Sequence, residues 1–157
     1  MCRARSASER IGITRRIGES VNLLVDTSVW SLFLRRRKRN EDDPYVVRLR
    51  SCLEGEDGIH LIGPILQELL DGVRDHKQFE LLKEYLEPFP LIALDRQDFV
   101  EASRLRNHCR GRGIQASPVD FLISTACTRR NYPLLTADED FRHIAAHSKL
   151  MLIPVGL

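Results

Sequence analysis

The chain has 157 residues, 43% of them hydrophobic and 29% charged, with a net charge of +2 at neutral pH. This length and balance suit a single globular domain with a real core, and no apolar run approaches the roughly 20 residues of a membrane span. The charge is unevenly spread: residues 1–20 hold five arginines against two glutamates, a surplus of three, so the remainder carries −1.

That first stretch lacks the apolar central region of a secretory signal. It reads as a basic, flexible N-terminal extension, followed by one domain over residues 21–157. The four cysteines, Cys2, Cys52, Cys109 and Cys127, form no Cys-x-x-Cys pair, so zinc spacing is absent. The last three fall in predicted helices as small apolar residues, a usage that suits a reducing cytoplasm. His143 and His147 have one-turn spacing but lack the Glu of a His-Glu-x-x-His site, and read as surface histidines.

In chain order, the first predicted strand is 21–25, in "VNLLVDTSVW". Near-continuous apolar runs of this kind are expected where both faces of a parallel sheet are covered. Trp30, Phe33 and Leu34 then recur at helical spacing. Asp43 caps a helix with Pro44 in its first turn, stopping near Gly55. A second strand covers 59–62, and Phe79, Leu82 and Leu86 mark a further helix before a third strand at 90–94. Asp95 caps a helix with Phe99, Ala102 and Leu105 on one face, ending around Gly111, and Ser117-Pro118 opens the next. Strands at 133–136 and 150–155 complete the pattern, with a helix between them. Alternating strands and helices predict an α/β fold with a mostly parallel sheet of about five strands.

Ligands of such sheets bind beyond the carboxyl ends of the strands. Four acids are predicted at that edge: Asp26 after the first strand, Glu68 in the helix after the second, Asp120 in the first turn of "SPVDFLISTAC", and Asp138 after the fourth. Each has a plainer structural use. Asp26 can end a strand, Ser117 and Asp120 resemble a capping box, Glu68 can be a solvated acid, and Asp138 can cap the helix near Asp140. Taken together, crowded carboxylates raise one another's pKa, and a divalent cation removes that difficulty. Oxygen donors without histidine or thiolate suit Mg²⁺ or Mn²⁺.

Other classes with similar strand ends fit less well. A haloacid-dehalogenase-type phosphatase needs a second Asp two positions after the first, where this chain has Ser28. A response-regulator receiver needs a late Lys after a strand, which "PLLTADEDF" does not offer. A nucleotide-binding Rossmann or P-loop domain needs a Gly-rich turn after a strand, and none is present.

The segments "LLVDTSVW", "PILQELLDG", "RLRNHCRGRGIQASPVDFLISTAC" and "LLTADEDF" together resemble the PIN-domain ribonucleases, in particular the VapC-type toxins of bacterial toxin–antitoxin pairs. The resemblance implies a three-layer α/β/α fold. It implies an Mg²⁺-dependent endoribonuclease, with Mn²⁺ as a substitute, leaving 5′-phosphate and 3′-hydroxyl ends. Asp26, Glu68, Asp120 and Asp138 carry over as catalytic and metal-binding acids. Ser28 and Thr136 match supporting hydroxyls, and Asp140 a neighbouring acid. The implied partners are an RNA substrate (transfer or ribosomal RNA), a VapB-type antitoxin and a second copy of the chain, in the cytoplasm. A nuclease-inactive binding module on the same fold is the alternative. The Arg-rich stretch before Val21 departs from the family pattern.

Two expectations concern surfaces. The run "RRRKR" at 35–39, including Arg35, Arg36 and Arg37, is expected to continue the helix beside Asp26 and to meet RNA phosphates. Arg110 and Arg112, with Arg104 and Arg106 before them, are expected at the other rim. An antitoxin is expected to bring an Arg or Lys to Asp26 and Asp138 and to pack a helix around Trp30 and Phe33.

Overall fold

The computed structural model describes residues 20–35 and 41–156. Residues 1–19, with Cys2 and most of the basic extension, lie outside these, as do Arg36 and Arg37. Among the described residues the order is β1 (Asn22–Val25), α1 (Thr27–Leu34), α2 (Pro44–Glu54), β2 (Gly58–Ile62), α3 (Gly63–Asp71), α4 (His76–Leu86), β3 (Leu91–Ile92), α5 (Arg96–Arg110), α6 (Pro118–Arg130), β4 (Leu134–Leu135) and α7 (Asp140–Ala146).

The strands form a parallel sheet in the order β3-β2-β1-β4. Leu23, Leu24 and Val25 are consecutive and all buried. Successive strand residues point to opposite faces, so β1 is covered on both sides. β2 and β3 lie to one side of β1 and β4 to the other, and the crevice at such a reversal is where these sheets hold ligands. The ladder runs on past β1: the Asp26 amide donates to the Leu135 carbonyl at 2.9 Å, which fixes the Asp26 backbone against β4.

The sheet is smaller than the sequence suggests. The strand expected at 150–155 shrinks to one parallel bridge between Leu134 and Leu152. Leu134 donates to Met151 O and Ile153 to Leu134 O, each at 2.9 Å. Pro154 follows and has no amide hydrogen to extend the ladder.

The helices begin and end where local chemistry directs. Asp43 accepts from the amides of Tyr45 and Val46 to cap α2, whose first residue is Pro44. Ser117 and Asp120 form a reciprocal capping box on α6. Residues 121–127 of α6 are all buried, making it the most enclosed helix. It ends at Asn131, whose φ of 55° is the left-handed conformation that Asn tolerates better than most residues. Cys52, Cys109 and Cys127 are free and buried, as expected of small apolar residues.

Three expectations need correction. First, α5 turns its stripe differently at its start. Ala102 is buried and Leu105 half-buried, but Phe99 is 53% exposed, and the residue facing inward beside them is Asp98, at 0%. Asp98 can sit there because Arg129 (2.6 Å) and Arg130 (2.9 Å) neutralise it and the Asp95 amide donates to it at 2.9 Å. Second, α1 does not run on into the basic stretch: its backbone becomes extended at Arg35, with φ −72° and ψ 108°. Third, Trp30 is fully buried, with ring centroids 6.2 Å from Phe33 and 5.2 Å from Phe89. It belongs to the core, so Phe33, half-buried beside it, is the member of the expected pair that reaches the surface.

Candidate metal centre

The four acids predicted at the sheet edge line one cleft of about 640 Å³. Its walls also carry Thr27, Ser28, Arg35 and Ser117. Four separate segments meet there: the end of β1, α3, the start of α6, and the turn after β4.

Asp26 is the most enclosed of the four, at 6% exposure. It ends β1 and also caps α1, accepting from the Ser28 amide at 3.3 Å. The plain structural use of this residue is thus realised, and it leaves the carboxylate facing the cleft. The Ser28 hydroxyl donates to Asp26 Oδ2 at 2.6 Å, and the Thr136 hydroxyl to the same atom at 3.1 Å. Each hydroxyl has one hydrogen, so the 3.4 Å contact between them is a packing consequence of sharing an acceptor. The chain closes the cluster from behind: Ala137 N donates to Ser28 Oγ at 3.0 Å and Asp138 N to Thr136 Oγ1 at 3.1 Å. Both hydroxyls are therefore directed at Oδ2.

Burial pushes the Asp26 carboxyl above its usual range, while the bonds from Ser28 and Thr136 pull it back. Asp120 is also raised, first by burial, against the bonds from Ser117, and further by the charges of Asp138 and Asp26. So the acids act on one another electrostatically, and a cation among them is favoured.

Asp120 and Asp138 each keep a structural duty as well. Asp120 Oδ2 accepts from Ser117 N at 2.7 Å, and Asp138 Oδ1 accepts from Asp140 N at 2.9 Å. Asp140 thus meets the site through its backbone, at the start of α7, and its side chain is not among those lining the cleft. Glu68 is exposed on α3, and its Oε2 accepts from the Thr27 hydroxyl at 3.0 Å. From the sequence, Thr27 stands out only as a hydroxyl neighbour of Asp26, with no role assigned. Its position directly after Asp26 was the available signal, but its partner lies 41 residues away.

Among the described residues, no three His, Cys, Asp or Glu side chains are gathered closely enough to enclose an ion directly. The donor set still fits a hydrated divalent cation. All four lining acids present oxygen, and Mg²⁺ retains several waters, needing only one or two direct carboxylates. Asp26, Glu68, Asp120 and Asp138 are the residues that could hold it.

Of the basic residues expected near RNA, Arg35 lines the cleft. Arg110 and Arg112 are exposed at the end of α5 and beyond it, outside the cleft walls. Arg112 donates to the His108 carbonyl at 3.1 Å. His143 and His147 are exposed on and just after α7.

The PIN domain family model matches residues 23–147. Ribonuclease VapC1 of Methanocaldococcus jannaschii is 26% identical over 121 residues, covering 77% of this chain and 79% of that protein. Among solved structures, VapBC2 from Rickettsia felis bound to a DNA fragment from their promoter aligns with a TM-score of 0.66 at 17% identity, over 84% of this chain and 97% of that one. FitAcB from Neisseria gonorrhoeae aligns at 0.64 and 20%, over 84% and 96%. At such identities the solved structures establish a shared fold.

Proposed function

Because this chain belongs to the PIN-domain family, we propose that it is a metal-dependent endoribonuclease that hydrolyses RNA phosphodiester bonds to 5′-phosphate and 3′-hydroxyl ends. The observation that carries this reading is the convergence of Asp26, Glu68, Asp120 and Asp138 on one cleft. The cofactor is Mg²⁺, with Mn²⁺ able to replace it. Bound there, the ion supplies Lewis-acid stabilisation of phosphate charge and activation of water.

The chain's own residues do the rest. Asp26 would be the central ligand, with its Oδ2 fixed by Ser28 and Thr136. Glu68, Asp120 and Asp138, on the same cleft, would complete the set of acids that holds the ion. Arg35, on the same cleft wall, neutralises a phosphate of the bound strand. Arg110 and Arg112 stand further out for flanking phosphates, and Arg36 and Arg37 extend the basic run.

We place the protein in a VapC-type toxin–antitoxin pair. The support is its likeness to Ribonuclease VapC1 and to solved VapBC complexes. Its partner is then a VapB-type antitoxin that silences the cleft with an Arg or Lys near Asp26 and Asp138, since charge-assisted contacts to carboxylates are strong. A homodimer, a transfer or ribosomal RNA substrate and a cytoplasmic location accompany this reading. No helix among the described residues is long and apolar enough to cross a membrane. A nuclease-inactive binding module is disfavoured because all four carboxylates line the cleft.

The test is sequencing of RNA ends after brief expression, comparing the parent with Asp26→Asn, and cleavage by the purified protein with Mg²⁺, Mn²⁺ or EDTA. New 5′-phosphate ends are expected from the parent alone, and none in EDTA. Full cleavage by Asp26→Asn without metal would overturn the proposal.

A further inference from the structure

We infer that Thr27 is a positioning residue that holds Glu68 in the geometry needed to bind the cation. The inference rests on the metal reading above and names a member of the site outside the four acids.

The argument starts from Glu68. It lies on α3 with its carboxylate exposed, and a free glutamate there samples several rotamers. Ordering a long side chain costs conformational freedom, which a ligand held in advance does not forfeit on binding. Thr27 is the contact that holds it. Its hydroxyl donates to Oε2 at 3.0 Å, leaving Oε1 for the cation or one of its waters.

Thr27 is itself held firmly. It is the first residue of α1, directly after Asp26, which caps that helix. Its β-branched side chain has few χ1 choices. The Asp26 backbone is tied to β4 through Leu135, so a short rigid segment links the central acid to its outlying partner. Asp26 and Glu68 come from different elements, and Thr27 is the side chain seen to connect them. A hydroxyl that orients a ligating carboxylate typically changes metal affinity ten- to hundredfold when removed.

The experiment measures Mn²⁺ affinity by electron paramagnetic resonance and calorimetry on the full chain, with urea unfolding in parallel. Thr27→Val keeps the shape and deletes the donor. It is expected to weaken Mn²⁺ binding about tenfold, and Thr27→Ser to restore most of the loss. Thr27→Ala serves as a second deletion should Val perturb folding. In a Glu68→Ala background, Thr27→Val should add nothing further, because the two act as one unit. Unchanged Mn²⁺ affinity in Thr27→Val and Thr27→Ala, or a full additive loss in the Glu68→Ala background, overturns the inference alone. A parent chain that binds no Mn²⁺ overturns the metal reading and this inference with it.

Discussion

Ser28 and Thr136 lie 108 positions apart in the chain, yet both donate their hydroxyl hydrogen to the same oxygen of Asp26, at 2.6 and 3.1 Å. One arrives from the start of α1 and the other from the end of β4. Hydrogen bonds to the charged form favour it, so this pair works against the burial that raises the Asp26 carboxyl.

Thr136→Val removes one of these donors while keeping the side chain's shape. RNA cleavage is expected to fall roughly ten- to hundredfold. The acid limb of the kcat/KM profile should move to higher pH, because the carboxylate loses a bond that favoured ionisation. Ser28→Ala should act in the same direction and more strongly, since its bond is shorter. A profile whose acid limb stays in place would remove the hydroxyls from the mechanism.

Stability and function pull apart at Asp26. Its folded carboxyl titrates above the unfolded one, so the native state holds the proton more tightly. That contribution is present at low pH and is lost as pH rises through the raised folded value. The same holds for Asp120. In EDTA near neutral pH, Asp26→Asn should therefore be more stable than the parent by about 1 kcal/mol. Mn²⁺ should raise the urea midpoint of the parent, by mass action, far more than that of the variant. A variant less stable than the parent in EDTA would contradict this account.

Asp98 behaves in the opposite sense. Arg130 foremost, with Arg129 and the Asp95 amide, holds its carboxyl well below the usual carboxylate range. Its contribution is present at neutral pH and is lost as pH falls below the unfolded value of about 4. Asp98→Ala leaves two guanidiniums facing an empty buried position and should destabilise by about 3 kcal/mol. That is the lower end of the range for breaking a buried pair, because both arginines reach solvent. Its unfolding should also lose part of the parent's acid dependence. Chemical denaturation at pH 7 and pH 3.5 reads both effects.

Arg35→Ala tests the cleft wall. Binding to single-stranded RNA should weaken across sequences, and the salt dependence should flatten by roughly 0.7 in the log–log slope for one lost phosphate contact. The cut site should stay where it is, because phosphate contacts position a strand without reading its bases. An unaltered slope would leave Arg35 as an ordinary helix end.

The features legible in the sequence were those with local causes. Asp43-Pro44, Asp95 and Ser117-Pro118 each announce a helix within a few residues, and each begins one. The four acids were found because strand polarity alone sends strand ends to one edge. The features missed depend on distant partners. Asp98 reads as a solvent-facing charge until Arg129 and Arg130 return to it 31 and 32 residues later. Phe99 was grouped on one face with Ala102 and Leu105 because nothing nearby revealed that Asp98 would take that side. Thr27 is mute without Glu68. Trp30 was offered to a partner because an aromatic beside the site can serve either purpose, and only Phe33 and Phe89 packing on it decides for the core.

The central place of β1 has a consequence for synthesis. The ribosome delivers the chain from its N-terminus, so β1 and Asp26 emerge early, and β2, α3 and Glu68 follow. β4 completes the other flank of β1, and Thr136 and Asp138 arrive only with it. A nascent chain ending before residue 134 therefore carries three of the acids with no completed cleft to hold them. If the proposed nuclease reading holds, the chain gains its activity only once nearly all of the domain has been made.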